Sequence, residues 1–382
     1  MIKKITLIST SHLSSNPRLV KEAKTLLKSN FEVTIIFLQH ISYLTNFDEE
    51  ITEDLSGAKI HKINYNTSSI IGKLLNLKRL LRKIYLSINQ SSAYKENIFF
   101  PEFKKIIKKN KADLYIGHTL NALPIANWAA AHFDVKFAFD AEDYHSEESD
   151  SIIQNSFAKK IEDKYLPYVT YISAASPFIA EAYQKRYPKK TVIPINNYFE
   201  FEQFELQPKT ETGNHLKIVW FSQTIGLNRG LQKFMAMLNG LDSNSFELHL
   251  RGSSDEKTKS QLLELVSSDW KNKIFFYPQC ATKELNIWLR TFDIGLALEP
   301  SFSINNRIAI SNKIFQYITN GLAVISSDTK GQEWVFRQAP DIGLFLLNND
   351  METAFMQLKK WLENPEQLKL TKRKSFLAAK TT

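Results

Sequence analysis

Cysteine is all but missing: Cys280 stands alone in 382 residues. A single thiol excludes an internal disulfide framework and suits a reducing cytoplasm. With no neighbouring base in the sequence to activate it, Cys280 reads as a small buried hydrophobe rather than a nucleophile. Glycine is scarce, twelve in all, which excludes collagenous and low-complexity architectures. No apolar run approaches the roughly 18 residues that a membrane span needs. The early lysines and short apolar stretch are broken by polar residues from Thr10 to Asn16, a pattern of first strand and loop rather than signal peptide.

Familiar motifs are missing too. The absence of G-x-G-x-x-G after the first strand argues against a dehydrogenase, and the absence of G-x-x-x-x-G-K-[ST] against a P-loop nucleotidase. No G-x-S-x-G elbow, H-E-x-x-H or paired C-x-x-C is found. Of the carboxylates that could hold a cation, Asp140, Glu142 and Asp143 stand close together after an apolar run, though turns and helix caps also use such residues. No metal site is expected.

What is present points to an α/β protein. The length fits two domains of about 150–200 residues each, and the net charge of +9 favours anionic partners: phosphates, nucleic acid or an acidic membrane face. Short β-branched runs alternate with helical spacing. The first run, Ile2 to Ser9, is followed by Asn16-Pro17, a cap and first-turn pair for a helix that Asn30 ends. Glu32 to Leu38 is the next strand, and further runs fall at 113–117, 136–140, 169–174 and 191–195. Between Phe199 and His215 the chain turns acidic and polar, as an interdomain linker does. A second series follows at 216–222, 246–252, 273–277, 293–298, 322–326 and 343–347. Two doubly wound domains facing a cleft are predicted, with ligands at the carboxyl ends of the strands.

Two stretches carry candidate chemistry. Phe221-Ser-Gln-Thr-Ile-Gly-Leu-Asn-Arg-Gly230 joins a strand to the helical run Leu231–Leu238. Gly226 and Gly230 permit close backbone approach, free N–H groups at the helix start attract an anion, and Arg229 can add a charged contact. An ordinary strand–helix turn with a solvated arginine accounts for the same residues. In Ile310-Ser-Asn-Lys-Ile-Phe-Gln-Tyr-Ile-Thr-Asn-Gly-Leu-Ala-Val-Ile, residues Ser311, Asn312 and Lys313 fall at a helix N-terminus. A lysine there opposes the macrodipole, a cost that a bound phosphate would offset.

Asn312-Lys313-Ile-Phe-Gln-Tyr followed by Gly321-Leu-Ala-Val-Ile resembles the C-terminal signature of glycosyltransferase family 4, the large retaining class with the GT-B fold. Gly226 to Gly230 is similar to its phosphate loop, and Ser15-Asn16-Pro17-Arg18 to its first loop and helix. Asp113-Leu-Tyr-Ile-Gly-His118 with Ala122-Leu-Pro124 resembles its cleft-histidine strand, and Phe139-Asp140-Ala-Glu-Asp143 another cleft loop. The likeness spans nearly the whole chain. It implies that His118 faces the sugar at the reaction centre by hydrogen bonding, with Asp143 in the same loop region as a catalytic candidate. It also implies donor contacts from Gln223, Gly226, Arg229, Ser311, Asn312 and Lys313. Gln316 stands where the family has a ribose-binding glutamate, Ile308 where a partner glutamate is expected, and Glu299 is the nearest upstream carboxylate. Gln223 replaces a second cation.

The fold so implied is α/β GT-B, with Rossmann-like domains at 1–200 and 216–364 and a closing segment, 365–382, returning to the first domain. The implied reaction is retaining, metal-independent transfer of a hexosyl unit from a nucleoside-diphosphate sugar to a glycan or lipid-linked acceptor in surface-polysaccharide assembly. No cofactor and no nucleic acid partner are expected. The two glutamine replacements also admit an inactive GT-B partner protein, and the fold admits a sugar-nucleotide epimerase. His12 and His145 read as structural. Ile70 to Ile88 places apolar residues at 70, 74, 77, 81, 84 and 88, with Lys73, Lys78, Arg79, Arg82 and Lys83 between them. That is either a core-facing helix with a basic outer face or an interfacial helix on anionic lipid. The second option puts the protein peripherally at the inner face of the membrane.

Overall fold

The computed structural model describes residues 3–66, 70–88, 97–199, 215–227 and 229–380. Most of the expected linker lies outside them. The chain divides into two units, Met1–Asn196 and Asn197–Thr382.

The first unit contains strands β1 (Lys4–Ser9), β2 (Glu32–Gln39), β3 (Lys59–Asn64), β4 (Leu114–His118), β5 (Lys136–Ala141), β6 (Tyr171–Ala174) and β7 (Thr191–Pro194). They pair in parallel in the order β3-β2-β1-β4-β5-β6-β7. The helices are α1 (Pro17–Lys28), α2 (Thr45–Asp54), α3 (Ile70–Ile88), α4 (Phe100–Ile107), α5 (Leu123–Phe133), α6 (Ile152–Tyr165) and α7 (Pro177–Arg186). The local signals act as predicted at α1. The Asn16 side chain accepts the Leu19 N–H at 2.9 Å, Pro17 takes the first helical position, and Asn30 turns left-handed at φ 62 after the last turn. Leu7, Ile35, Ile116 and Ala138 bury one face of the sheet against Leu19 and Ala23 of α1.

The second unit contains β8 (Leu216–Thr224), β9 (Phe246–Ser253), β10 (Ile274–Tyr277), β11 (Ile294–Ala297), β12 (Ala323–Ser327) and β13 (Gly343–Leu346). Their order is β10-β9-β8-β11-β12-β13, again parallel. The helices are α8 (Leu231–Leu238), α9 (Glu256–Leu263), α10 (Ser268–Lys271), α11 (Thr282–Leu289), α12 (Ile304–Ile308), α13 (Asn312–Thr319), α14 (Lys330–Gln338), α15 (Met351–Glu363) and α16 (Pro365–Ala378). Alternation along the strands supplies two cores. Ile218, Trp220, Ala323 and Ile325 pack on one face with Phe234, Trp270 and Trp361. Val219 and Val324 pack on the other with Ile314, Tyr317 and Ile318 of α13. Helices thus cover both faces, as a parallel sheet requires.

Two differences from the sequence reading stand out, at β3 and at α3. Strand β3 was not predicted; its sequence, Lys-Ile-His-Lys-Ile-Asn, lies at the sheet edge with only Ile63 buried. The closing helix α16 is grouped with the second unit. It packs on α13, β12 and β13, and its Lys372 Nζ donates to Phe292 O at 3.1 Å and Asp293 Oδ1 at 3.0 Å. Helix α3 turns four leucines outward: Leu74, Leu77, Leu80 and Leu81 are each more than half exposed. The core-facing reading of that helix is therefore corrected.

Candidate active site

Where strand order reverses in a doubly wound sheet, neighbouring strands send their connections to opposite faces and leave a crevice at their carboxyl ends. The reversals fall between β1 and β4 in the first unit and between β8 and β11 in the second. Most of the expected site residues collect at these two points.

In the second unit, β8 ends in an irregularity: Phe221 pairs with Arg251 and Thr224 with Ser253, three steps against two. Such a bulge re-aims the end of a strand. Gln223 is exposed there, its carbonyl accepting from the Gln279 amide. In the turn that follows, Arg229 is exposed. A Cβ on Gly226 would meet only Arg229 Cγ, at 3.9 Å, so the protein itself does not demand glycine and the space beside the backbone is open. Gly230 is different. Its φ of +80 is left-handed, and a Cβ would come within 3.0 Å of Leu298 Cβ. The turn into α8 therefore lies directly against the end of β11, beside Glu299.

Glu299 holds the other half of this site together. Its backbone N–H donates to Ser327 Oγ at 2.8 Å, and its Oε1 accepts from Ser311 Oγ at 2.7 Å and Lys313 Nζ at 2.5 Å. Ser311 precedes α13 without capping it through its side chain. The macrodipole cost of Lys313 is thus already offset by a carboxylate of this chain, where the sequence reading assigned that task to a phosphate. Asn312 is exposed and its Oδ1 accepts from Asn197 Nδ2 at 2.8 Å. Gln316 is buried, and its amide donates to Asn286 Oδ1 at 3.1 Å, an oxygen that also accepts from Asn320 at 3.2 Å. Glu299, Ser311 and Lys313 are therefore in contact, Gly230 abuts the adjacent Leu298, and Gln316 points into an amide cluster with α11.

In the first unit, β4 ends at His118, in register with Ser9 of β1. His118 has no solvent exposure. Its Nε2 lies 2.8 Å from Glu22 Oε2, and its Nδ1 lies 3.4 Å from Asp140 Oδ2 and 3.8 Å from Glu142 Oε1. Neither ring nitrogen makes an aligned hydrogen bond. Arg18 clasps Asp140 with Nε to Oδ2 at 2.8 Å and Nη2 to Oδ1 at 2.6 Å, and Ser173 Oγ donates to the latter oxygen at 2.6 Å. Burial alone would drive the proton from His118, but Asp140, Glu142 and Glu22 outweigh it and hold the pKa well above the ordinary imidazole value. Burial likewise disfavours the Asp140 carboxylate, yet Arg18 and then His118 hold its pKa far below the usual range.

Donor atoms of His118, Asp140 and Glu142 lie within 4.8 Å of one another, as do those of Asp143, His145 and Glu148. These are the two groups of this kind among the described residues. Asp140 is already bound at both oxygens by Arg18. Asp143 thus joins His145 rather than His118, and its carbonyl accepts from Tyr183 Oη at 3.3 Å. His145 Nδ1 pairs with Glu148 at 2.9 Å; burial opposes the charged ring, but Glu148 raises its pKa to about 9. His12 is structural as expected. Its Nδ1 sits 2.6 Å from Asp48, and its Nε2 accepts the backbone N–H groups of His40 and Ile41. Cys280 is only half-buried, its thiol pKa raised by burial.

Sequence reasoning passed over Arg18, Glu22 and Ser173. One signal was legible: Arg18, like Lys313, is a cation in the first turn of a helix that follows a strand, where the macrodipole disfavours it. In both places a carboxylate from a neighbouring strand end supplies the reason.

No protein-family model matches the chain, and no curated protein matches it. Solved structures do. Anabaena HepE in complex with UDP and glucose superposes with a TM-score of 0.71 at 11% identity, covering 99% of this chain and 95% of its own. A glycosyltransferase from Rickettsia africae matches with a TM-score of 0.65 at 15% identity, over 100% of this chain and 94% of its own. The fold is GT-B. A mutant of S. aureus TarM in complex with fondaparinux, alpha-GlcNAc-glycerol and UDP gives 0.69 at 10% identity, over 99% and 96%. At such identities the likeness is one of architecture: each GT-B unit of this chain is a parallel, doubly wound sheet, with candidate residues at its reversal point.

Proposed function

We propose that the chain is a glycosyltransferase of the family 4 type, moving a hexosyl unit from a nucleoside-diphosphate sugar to a glycan or lipid-linked acceptor with retention, in surface-polysaccharide assembly. The observation that carries this reading is the grouping at the β8/β11 reversal. The turn that runs from Gly226 through exposed Arg229 to the N-terminus of α8 meets the end of β11 at the Gly230–Leu298 contact, and Glu299, the next residue, bonds Ser311 and Lys313 at the start of α13. Helix N-termini with free N–H groups and flanking cations suit a diphosphate. UDP in the solved GT-B structures of HepE and TarM agrees with that use. As the glycosidic bond breaks, charge grows on the leaving diphosphate, and in this reading these N–H groups, Arg229 and Lys313 would stabilise it with no resident metal invoked. His118, wholly buried among three carboxylates, would act on the sugar side by holding Glu22, Asp140 and Glu142 in place, and Gln316 would have to leave Asn286 to reach a ribose.

Titration of UDP and other nucleoside diphosphates into wild type, Arg229→Ala, Lys313→Ala and the double variant tests this. Each deletion is expected to cost about 1.5–3 kcal/mol, a loss of affinity of roughly 10- to 150-fold. The double variant should depart from additivity because both cations share one ligand. Retention is read from the anomeric NMR signal of the product. The Gln223 and Gln316 replacements, together with the Glu299 carboxylate already on Lys313, favour one other reading, an inactive GT-B partner protein. Wild type that binds no nucleotide would decide for it.

A further inference from the structure

Helix α3 is amphipathic in the wrong sense for a core helix. Leu74, Leu77, Leu80 and Leu81 project within an arc of about a third of the helix circumference, at 56%, 55%, 55% and 58% exposure. Gly72 is buried on the opposite side, where Leu75, Asn76 and Arg79 are half-buried. The inward contact is polar: the Asn76 amide donates to the Tyr65 carbonyl and to Gly72 O. Lys73 lies among the outward leucines and Lys78 borders them, both exposed. Arg82 and Lys83 belong to the same helix, though their side chains lie outside the described residues. From Ile70 to Ile88 the chain contains no carboxylate.

We infer that this outer face is a docking surface for an anionic lipid bilayer, with the leucines entering the headgroup–acyl boundary and Lys73 and Lys78 meeting lipid phosphates. The inference goes beyond the donor chemistry and does not depend on it. Exposed leucines interleaved with lysines, on a helix with too many charges to cross a membrane, are the pattern of an interfacial helix. A second copy of the chain is a poorer occupant. A twofold contact would set the patch against itself and bring lysine to lysine with no acid on the helix to compensate.

Co-sedimentation with vesicles of phosphatidylcholine and phosphatidylglycerol, against vesicles of phosphatidylcholine alone, tests the inference. Wild type should pellet with the anionic vesicles at low salt and remain in the supernatant with the neutral ones. Lys73→Gln with Lys78→Gln should weaken partitioning roughly 30-fold, about fivefold for each cation. Leu74→Gln, Leu77→Gln and Leu81→Gln together should weaken it by about tenfold or more, with an unchanged melting temperature. The inference fails if wild type ignores anionic vesicles or if the leucine variant still binds like wild type. It fails equally if the leucine variant unfolds, since the leucines would then belong to the core. It fails too if sedimentation equilibrium finds a dimer that the leucine variant dissolves, which would assign the face to a second copy.

Discussion

At the scale of single residues, the telling feature is that cations set against helix dipoles are already paired. Glu299 Oε1 receives both Ser311 and Lys313, so a diphosphate arriving at α13 meets a carboxylate that competes for the same lysine and repels it. Removing that charge while keeping the shape, Glu299→Gln, is expected to tighten nucleoside-diphosphate binding about 3- to 10-fold, on the order of 1 kcal/mol. Calorimetric titration measures it, and weaker binding would mean that Glu299 serves to hold Lys313 in position for the ligand. His118 presents the opposite case. Its fully buried positive ring and Arg18 together face Glu22, Asp140 and Glu142, so His118→Ala should lower stability by about 3–5 kcal/mol by leaving the carboxylates short of a second positive charge. It should also lower turnover per folded molecule by about 10²-fold or more if the ring meets the sugar. Denaturant melts run beside rate assays separate the two effects. Glu22 was not legible in the sequence: a carboxylate mid-helix looks like any solvated one until the packing of α1 on β4 aims it at an imidazole.

At the scale of elements, period and breakers carried most of the information. Every strand but β3 falls within two residues of its apolar run at each end, because buried parallel strands are continuous β-branched runs. In β3 the polar residues Lys59, His61, Lys62 and Asn64 interrupt Ile60 and Ile63 and leave no apolar run to see. Helix α3 shows the limit of periodicity. Spacing defines a stripe, but whether it faces core or solvent depends on what the rest of the chain packs against it. The β8–α8 turn gives a contrast between two glycines. Gly230→Ala forces a left-handed φ of +80 and a 3.0 Å approach to Leu298, and is expected to destabilise by about 1–3 kcal/mol. Gly226→Ala meets nothing closer than 3.9 Å, so its melting temperature should match wild type. If a diphosphate lies against that backbone, the added methyl should nonetheless weaken nucleotide affinity. Loss of stability in the Gly226 variant would show that the open space has another use.

At the scale of the whole molecule, each unit owns its core: Leu7, Ile35 and Ile116 with their neighbours in the first, two clusters about Trp220 and Tyr317 in the second. Each should unfold as its own cooperative block, giving two calorimetric transitions that respond to different variables. The first unit contains His145, raised from 6.5 to about 9, and His118, also raised well above its ordinary value. A histidine whose folded pKa is raised lends stability in full below its unfolded pKa and loses it as pH climbs through the folded value. Lys21 of the same unit, lowered by burial to about 7, acts with the opposite sign, so the histidine share is read by comparison: the melting temperature of wild type relative to His145→Gln should fall as pH rises from about 6.5 past 9. Because Glu148 is half exposed, solvent screening limits the His145 share to about 1–2 kcal/mol. The second unit contains Arg229 and Lys313, so a nucleoside diphosphate at 100 times its dissociation constant should stabilise that unit by about 2.7 kcal/mol. The ligand should raise the second transition and leave the first nearly in place, and Lys313→Ala should remove about half of the shift or more. A single transition that moves as one with both pH and nucleotide would show the units to be thermodynamically fused. A nucleotide shift confined to the pH-sensitive transition would instead move the phosphate site to the unit of Arg18 and His118.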